Sequence, residues 1–189
     1  MAKKLLFLLP FSMLLLLYSC NPKKKITENL YQNCDTTRIN AERVTAPSGK
    51  PATWVSNEFI RKAPQEISIQ WLQQNHASWL SLKKEPFQNI HDTTQTDTIY
   101  HFTAENDTVK FYRSRPKDLL IHLDISNPRL SLTRCIRPGL PKTTFLKIFG
   151  ITPPTGHKIR VRNREGTLIF IFYFQKGKLQ RIQSDIYFG

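Results

Sequence analysis

The chain has 189 residues, 40% hydrophobic and 11% aromatic, with 28 Lys and Arg against 14 Asp and Glu for a formal net charge of +14. This length suits one domain of average size or two small lobes, and 12 Phe, 6 Tyr and 3 Trp supply a core that needs no disulfides to fold. The positive balance points to anionic partners such as phospholipid headgroups, lipopolysaccharide phosphates or acidic glycans, or else to a charged, solvated surface with no specific ligand.

The chain opens with Lys3 and Lys4, then an apolar run from Leu5 to Leu17 broken only by Pro10 and Ser12, then Cys20. This is the layout of a secretory signal. The run is short for a membrane span, which takes about 20 apolar residues. Leu17-Tyr18-Ser19-Cys20 resembles the lipobox of bacterial lipoproteins, with Tyr18 where a small or β-branched residue is usual. The resemblance implies a signal peptide over residues 1–19, a diacylglyceryl thioether on Cys20 and an N-acylated (palmitate-type) mature terminus. Two or more fatty chains hold a protein on a bilayer where one gives only marginal binding. The other readings are an ordinary signal cut near Ser19 and an uncleaved short anchor. An exported, lipid-tethered chain rarely meets nucleic acid, so none is expected as a partner.

Residues 20–53 read as an acylated cysteine, a basic tether and a loose arm. Pro22 and Lys23-Lys24-Lys25 argue against a packed element, and basic residues next to an anionic leaflet each contribute about 1 kcal/mol. Some surface-exported lipoproteins carry an acidic run at this place. The opposite sign here favours a bacterial outer membrane with the domain facing the periplasm. With Cys20 acylated, Cys34 and Cys135 remain as an even pair in an oxidising compartment. They read either as a disulfide tying the arm to the domain or as two reduced thiols.

Residues 54–189 form the globular part. Trp54, Val55, Phe59 and Ile60 are the first expected core contacts. Pro64 fits the first position of a helix over about 65–75, continuing as far as 82 and stopped by Pro86, with its tryptophans in the core. From Thr98 the pattern alternates with period two. Strands are expected at 99–102, 109–113 and 119–125, with a short fourth segment at Leu130-Ser131-Leu132. Pro141 opens a second short helix with Leu140, Phe145, Leu146 and Phe149 on its apolar side and Gly150 as its cap. Strands follow at 159–161, 168–174 and 179–186. Leu168 to Phe174 is apolar on both faces, so one face packs on the core and the other is covered by the fold or by a partner. The expected class is α+β, an antiparallel meander with short helices packed on one face.

Gly139-Leu140-x-Lys142-x-x-Phe145-x-x-x-Phe149-Gly150, followed by Phe172-x-Phe174-x-x-Gly177-Lys178-Leu179-x-x-Ile182, looks like the repeat of the β-lactamase-inhibitor-like (BLIP-like) fold. Small outer-membrane assembly lipoproteins of the SmpA/OmlA type share that fold. The resemblance implies a fold and no catalytic site, with residues 64–132 as an earlier diverged copy of 135–188.

The clearest chemical pattern is basic. Lys158, Arg160, Arg162 and Arg164 fall on every second residue, with Ile159 and Val161 between them. A strand would aim all four cations to one face, either as a polyanion-binding surface or as the solvated side of an edge strand. Metal binding is not expected. His76, His91, His101, His122 and His157 are scattered without ligand spacing, although His101 and His122 could meet across the sheet. Nor is catalysis, since no G-x-S-x-G, Walker or G-x-G-x-x-G motif occurs. Asp92, Asp97, Glu105 and Asp107 read as turn residues. The expected role is non-catalytic binding or scaffolding of an envelope component, with no cofactor. The alternatives are a binder of anionic lipid, lipopolysaccharide or glycan, and an inhibitor of a secreted enzyme using one face of the 168–174 strand.

Overall fold

The computed structural model describes residues 39, 41–44, 52–89, 91–115, 117–133, 135–152 and 156–186. Cys20, Cys34 and the whole segment through Arg38 lie outside them. Among these residues twelve elements run in chain order. β1 (Glu42–Val44) and β2 (Thr53–Val55) precede α1 (Asn57–Glu66) and α2 (Ile69–His76). The strands β3 (Ser81–Gln88), β4 (Thr96–Ala104), β5 (Asp107–Ser114) and β6 (Lys117–Ile125) follow. Then come α3 (Lys142–Ile148), β7 (Lys158–Arg162), β8 (Leu168–Gln175) and β9 (Lys178–Ile186). All nine strands form one sheet in the order β1-β2-β7-β8-β9-β6-β5-β4-β3. Every pairing is antiparallel except β2 on β7. The class is α+β, with a mainly antiparallel sheet.

Two meanders, β3–β6 and β7–β9, meet at a seam between β6 and β9. Asp124 faces Gln183 and Ile125 faces Ile182 there. The Leu123 amide donates to Ser184 Oγ at 2.8 Å, and Asp124 accepts from Arg181 Nε at 2.6 Å and Gln183 Nε2 at 2.9 Å. This non-local pairing explains why Leu130-Ser131-Leu132 is not a strand. β9 occupies the edge of β6 that this segment would have used. Leu130 and Leu132 are instead fully buried in a loop, where the Leu132 amide donates to the Ile136 carbonyl at 2.8 Å.

The helices start elsewhere than Pro64 indicates. Ser56 caps α1, its Oγ accepting from the Phe59 amide at 3.4 Å, and Glu58 in the first turn pairs with Lys62 at 2.7 Å. Pro64 lies inside the last turn of α1. A second cap at Ser68, accepting from the Trp71 amide at 3.1 Å, starts α2. The N-cap hydroxyls determine both starts because they satisfy amides that a proline at the first position merely lacks. Residues 81–88, expected as helix end and loop, form β3. Its Pro86 is tolerated because β3 is an edge strand with no second neighbour to receive a hydrogen bond. α3 begins one residue after Pro141, and Gly150 follows it at φ 60°. Lys176 and Gly177, at φ 50° and 72°, close the β8–β9 hairpin in the conformation that suits strand twist.

The core lies on one face of the sheet. Phe170, Phe172 and Phe174 of β8 point to it and are almost fully buried, as are Ile159 and Val161 of β7. Phe59 of α1 stacks on Phe149, Phe170 and Phe172 at ring distances of 4.9, 5.6 and 6.1 Å. Phe145 of α3 meets Phe172 and Phe174 at 4.7 and 5.1 Å. α1 therefore packs on the C-terminal meander although it precedes the N-terminal one in sequence. On the N-terminal side Phe102, Val109, Phe111, Leu123 and Ile125 continue the same buried face. The opposite face of the sheet is open: among its described residues, Asp97 alone is fully buried.

Phe172→Ala should remove the hub of this aromatic cluster and cost about 3–5 kcal/mol in chemical denaturation. Ile171→Ala, on the open face of the same strand, should cost less than half as much.

Candidate functional site: the open face of the sheet

Pairing places the open-face residues in rows that cross the strands, because residues directly opposite one another share a face. In one row Thr53, Arg160, Ile171, Gln183 and Asp124 lie side by side. Neighbouring rows join Arg162 to Ile169 and Lys158 to Tyr173 to Arg181. Ile169, Ile171 and Tyr173 are half-buried. Lys158 Nζ lies 5.1 Å from the centre of the Tyr173 ring, as long basic side chains do over apolar surface.

Three of the four alternating cations, Lys158, Arg160 and Arg162, share this face. Arg164 does not, because β7 ends at Arg162 and Arg164 stands exposed in the following turn. Its amide donates to Asn57 Oδ1 at 2.9 Å, tying the turn to the start of α1. Arg162 Nη1 donates to the Arg164 carbonyl at 3.0 Å. Arg160 has a buried Nε with no hydrogen-bond partner among the described residues. β7 lies inside the sheet between β2 and β8, so its cations do not guard an edge. That role falls to β3 with Lys83, Lys84 and Pro86. Asp124 sits between opposing influences. Burial raises its pKa, while hydrogen bonds from Arg181 and Gln183 outweigh that and hold it below the usual carboxylate value.

The N-terminal meander adds a second basic row. Lys83, His101, Lys110 and His122 are successive partners across β3, β4, β5 and β6. His101 and His122 thus share a face but do not meet, because β5 and Lys110 lie between them. Glu85 Oε2 is 3.3 Å from His101 Nε2 and 3.7 Å from Lys83 Nζ. Burial, reinforced by Lys110, lowers the His122 pKa against the pull of Asp124. The next row runs Glu85, Ile99, Tyr112, Leu119. Phe87, 40% exposed, stands at its border with its ring 5.9 Å from Tyr112. This basic row escapes the sequence reading because residues 81–88 do not read as a strand, and alternation within a strand reveals its faces but not its register.

Two acids expected in turns are buried in the sheet. Asp97 in β4 accepts from Asn89 Nδ2 at 2.8 Å and from the Tyr112 hydroxyl, a bond that raises the tyrosine pKa. Asp107, the first residue of β5, accepts from the Ser126 amide at 2.6 Å and Ser126 Oγ at 2.8 Å, pinning the end of β6. Asp92 and Glu105 do lie in turns. Among the described residues no group of three or more His, Cys, Asp and Glu could hold a metal ion, and no helix is long and apolar enough to cross a membrane. Cys135 is disulfide-bonded and nearly buried. Both other cysteines lie outside the described residues.

Of the tryptophans only Trp54 is fully buried. Trp71 and Trp79 are half-buried and stack edge-on against His76 at 4.5 and 5.5 Å, with Arg129 5.8 Å from the Trp79 ring centre. His76 is 9% exposed and its Nε2 has no hydrogen-bond partner among the described residues. No protein family, curated protein or solved structure matches the chain.

Burial and then Arg129 hold the His76 pKa below 6.5. The unfolded chain therefore binds the proton first, so His76's contribution is complete above about pH 6.5 and is lost progressively as the pH falls below it. The urea midpoint should drop between about pH 7.5 and pH 5.5, and His76→Gln should flatten that drop. An unchanged pH slope in the variant would remove His76 as its source.

Proposed function

We propose that the protein is an exported bacterial lipoprotein, acylated on Cys20 and held at the outer membrane facing the periplasm, whose domain binds or scaffolds another envelope component without catalysis. The observation that carries the binding role is the open face of a nine-stranded sheet, where half-buried Ile169, Ile171 and Tyr173 lie among cations. An apolar strand exposed on one side is a usual place for a partner to dock. Phe170, Phe172 and Phe174 are occupied by α1 and α3, so any partner, a secreted enzyme to be inhibited included, would use the other face. The apolar run from Leu5 to Leu17 before Cys20 and the Lys23–Lys25 tether support the anchor and its periplasmic side. Nucleic acid and cofactors have no part in this reading. We further infer that Cys135 pairs with Cys34, since acylation would remove Cys20 from contention. The helix-then-meander order of both halves supports two diverged repeats of the β-lactamase-inhibitor-like kind, whereas the packing of α1 on the C-terminal meander weighs against them.

Radiolabelled palmitate should enter the wild-type chain and be absent from Cys20→Ala. Cross-linking of intact envelopes should then capture one recurrent partner. Failure of labelling removes the anchor, and capture of no recurrent protein removes the scaffold role.

A second reading takes the β7 cations as a site for anionic lipid, lipopolysaccharide or glycan. The unpartnered Arg160 Nε favours it, with Lys158 and Arg162 beside it and Arg164 at the adjoining turn. Salt-sensitive lipopolysaccharide binding that weakens about fivefold or more in Arg160→Gln would support this reading, and unchanged binding would remove it.

A further inference from the structure

We propose that the row Lys83, His101, Lys110 and His122 seats the sheet's open face against the phosphates of an anionic phospholipid leaflet, and that acid strengthens this seating. The inference rests on the membrane-tethered reading above, which keeps the domain near a bilayer.

The row carries a cost. Like charges directly opposite one another across strands are unfavourable, yet Lys110 has a histidine on each side. The carboxylates within reach do not balance the row. Glu85 is shared between Lys83 and His101, and Asp124 is already held by Arg181 and Gln183. The nearest open-face neighbours on β4, β5 and β6 are Ile99, Thr103, Thr108, Tyr112 and Leu119, none a charge at neutral pH; farther along the same face Asp97 is held by Asn89 and Tyr112, Lys117 is a further cation, and Asp185 of β9 lies opposite Ile169. With both imidazoles neutral the row and Glu85 carry one net positive charge, and protonating both raises this to three. An external anion would relieve the repulsion and be gripped harder as the histidines charge.

The width of the row selects the kind of anion. Adjacent strands are about 4.8 Å apart, so four side chains in a row span about 14 Å. A single phosphate cannot touch them all, whereas a surface bearing many phosphates can. Ile99, Tyr112 and Leu119 of the neighbouring row and the 40%-exposed Phe87 ring add the second component of interfacial binding, an apolar edge beside a basic stripe. Each further positive charge at an anionic leaflet strengthens partition by roughly fivefold.

The test uses the full chain mixed with vesicles of phosphatidylcholine, or of phosphatidylcholine with one third phosphatidylglycerol, and reads hydroxyl-radical oxidation by mass spectrometry. His101, Tyr112 and His122 should be protected roughly threefold or more on the anionic vesicles at about pH 5.5, and less at about pH 7.5. Trp71 and Trp79 serve as references. Protection should disappear in Lys83→Gln/Lys110→Gln, and its pH dependence in His101→Gln/His122→Gln, with melting curves confirming that both variants fold. Equal protection on both vesicle types, protection that survives the lysine changes, or protection reproduced by inorganic phosphate on phosphatidylcholine alone would each overturn the proposal. Absence of protection on anionic vesicles would overturn it in favour of a soluble acidic partner. Flotation with phosphatidylcholine vesicles reports the anchor separately. A chain that fails to float there loses the tether, while its footprint on anionic vesicles still decides the face.

Discussion

The structure depends on the stacking of Phe59, Phe145 and Phe149 over Phe170, Phe172 and Phe174. This contact draws α1 from the N-terminal part and α3 from the middle of the chain onto one strand. By covering one face of β8 it determines which face remains open. β8 is apolar on both sides, so the choice matters more here than it would for a strand that alternates apolar with polar. The aromatic rings take the side lined by Ile159 and Val161. The cations of β7 are then forced outward beside Ile169, Ile171 and Tyr173.

The seam between β6 and β9 has a comparable role at larger scale. It joins two local meanders into one sheet through few pairings and a polar cluster at Asp124, Arg181, Gln183 and Ser184. Partly buried, this cluster is satisfied by several partners at once, the condition under which a half-buried carboxylate stabilises and specifies a register. Because register is continuous through the seam, the basic positions of both meanders lie on a common face.

Much of the secondary structure was legible because it rests on local signals. Period-two alternation located β4–β9 to within a few residues, and Pro141, Phe145, Phe149 and Gly150 located α3. The misses have separate causes. Pro64 is a strong local signal that lost to two serine caps. Residues 81–88 lack alternation because, on an exposed edge, neither face of β3 is deeply buried. Leu130-Ser131-Leu132 resembles a strand by composition but was displaced by a segment some fifty residues downstream. Of the candidate site, Lys158, Arg160 and Arg162 were legible as one face of a strand. Arg164 was carried along by the alternation past the point where the strand stops.

By itself the sequence determined the α+β class, the mainly antiparallel pairing, the hairpins and the sequence partners of most turns, and it holds the grounds for expecting a lipid anchor at Cys20. These follow from periodicity, caps and turn chemistry, which act over a few residues. Tertiary structure alone decided which face of β8 is covered, that β7 is interior, that Asp97 and Asp107 are buried, and that Lys83, His101, Lys110 and His122 stand in one row. Those outcomes depend on register between distant strands, and register is decided by the burial of a whole face at once rather than by any one segment.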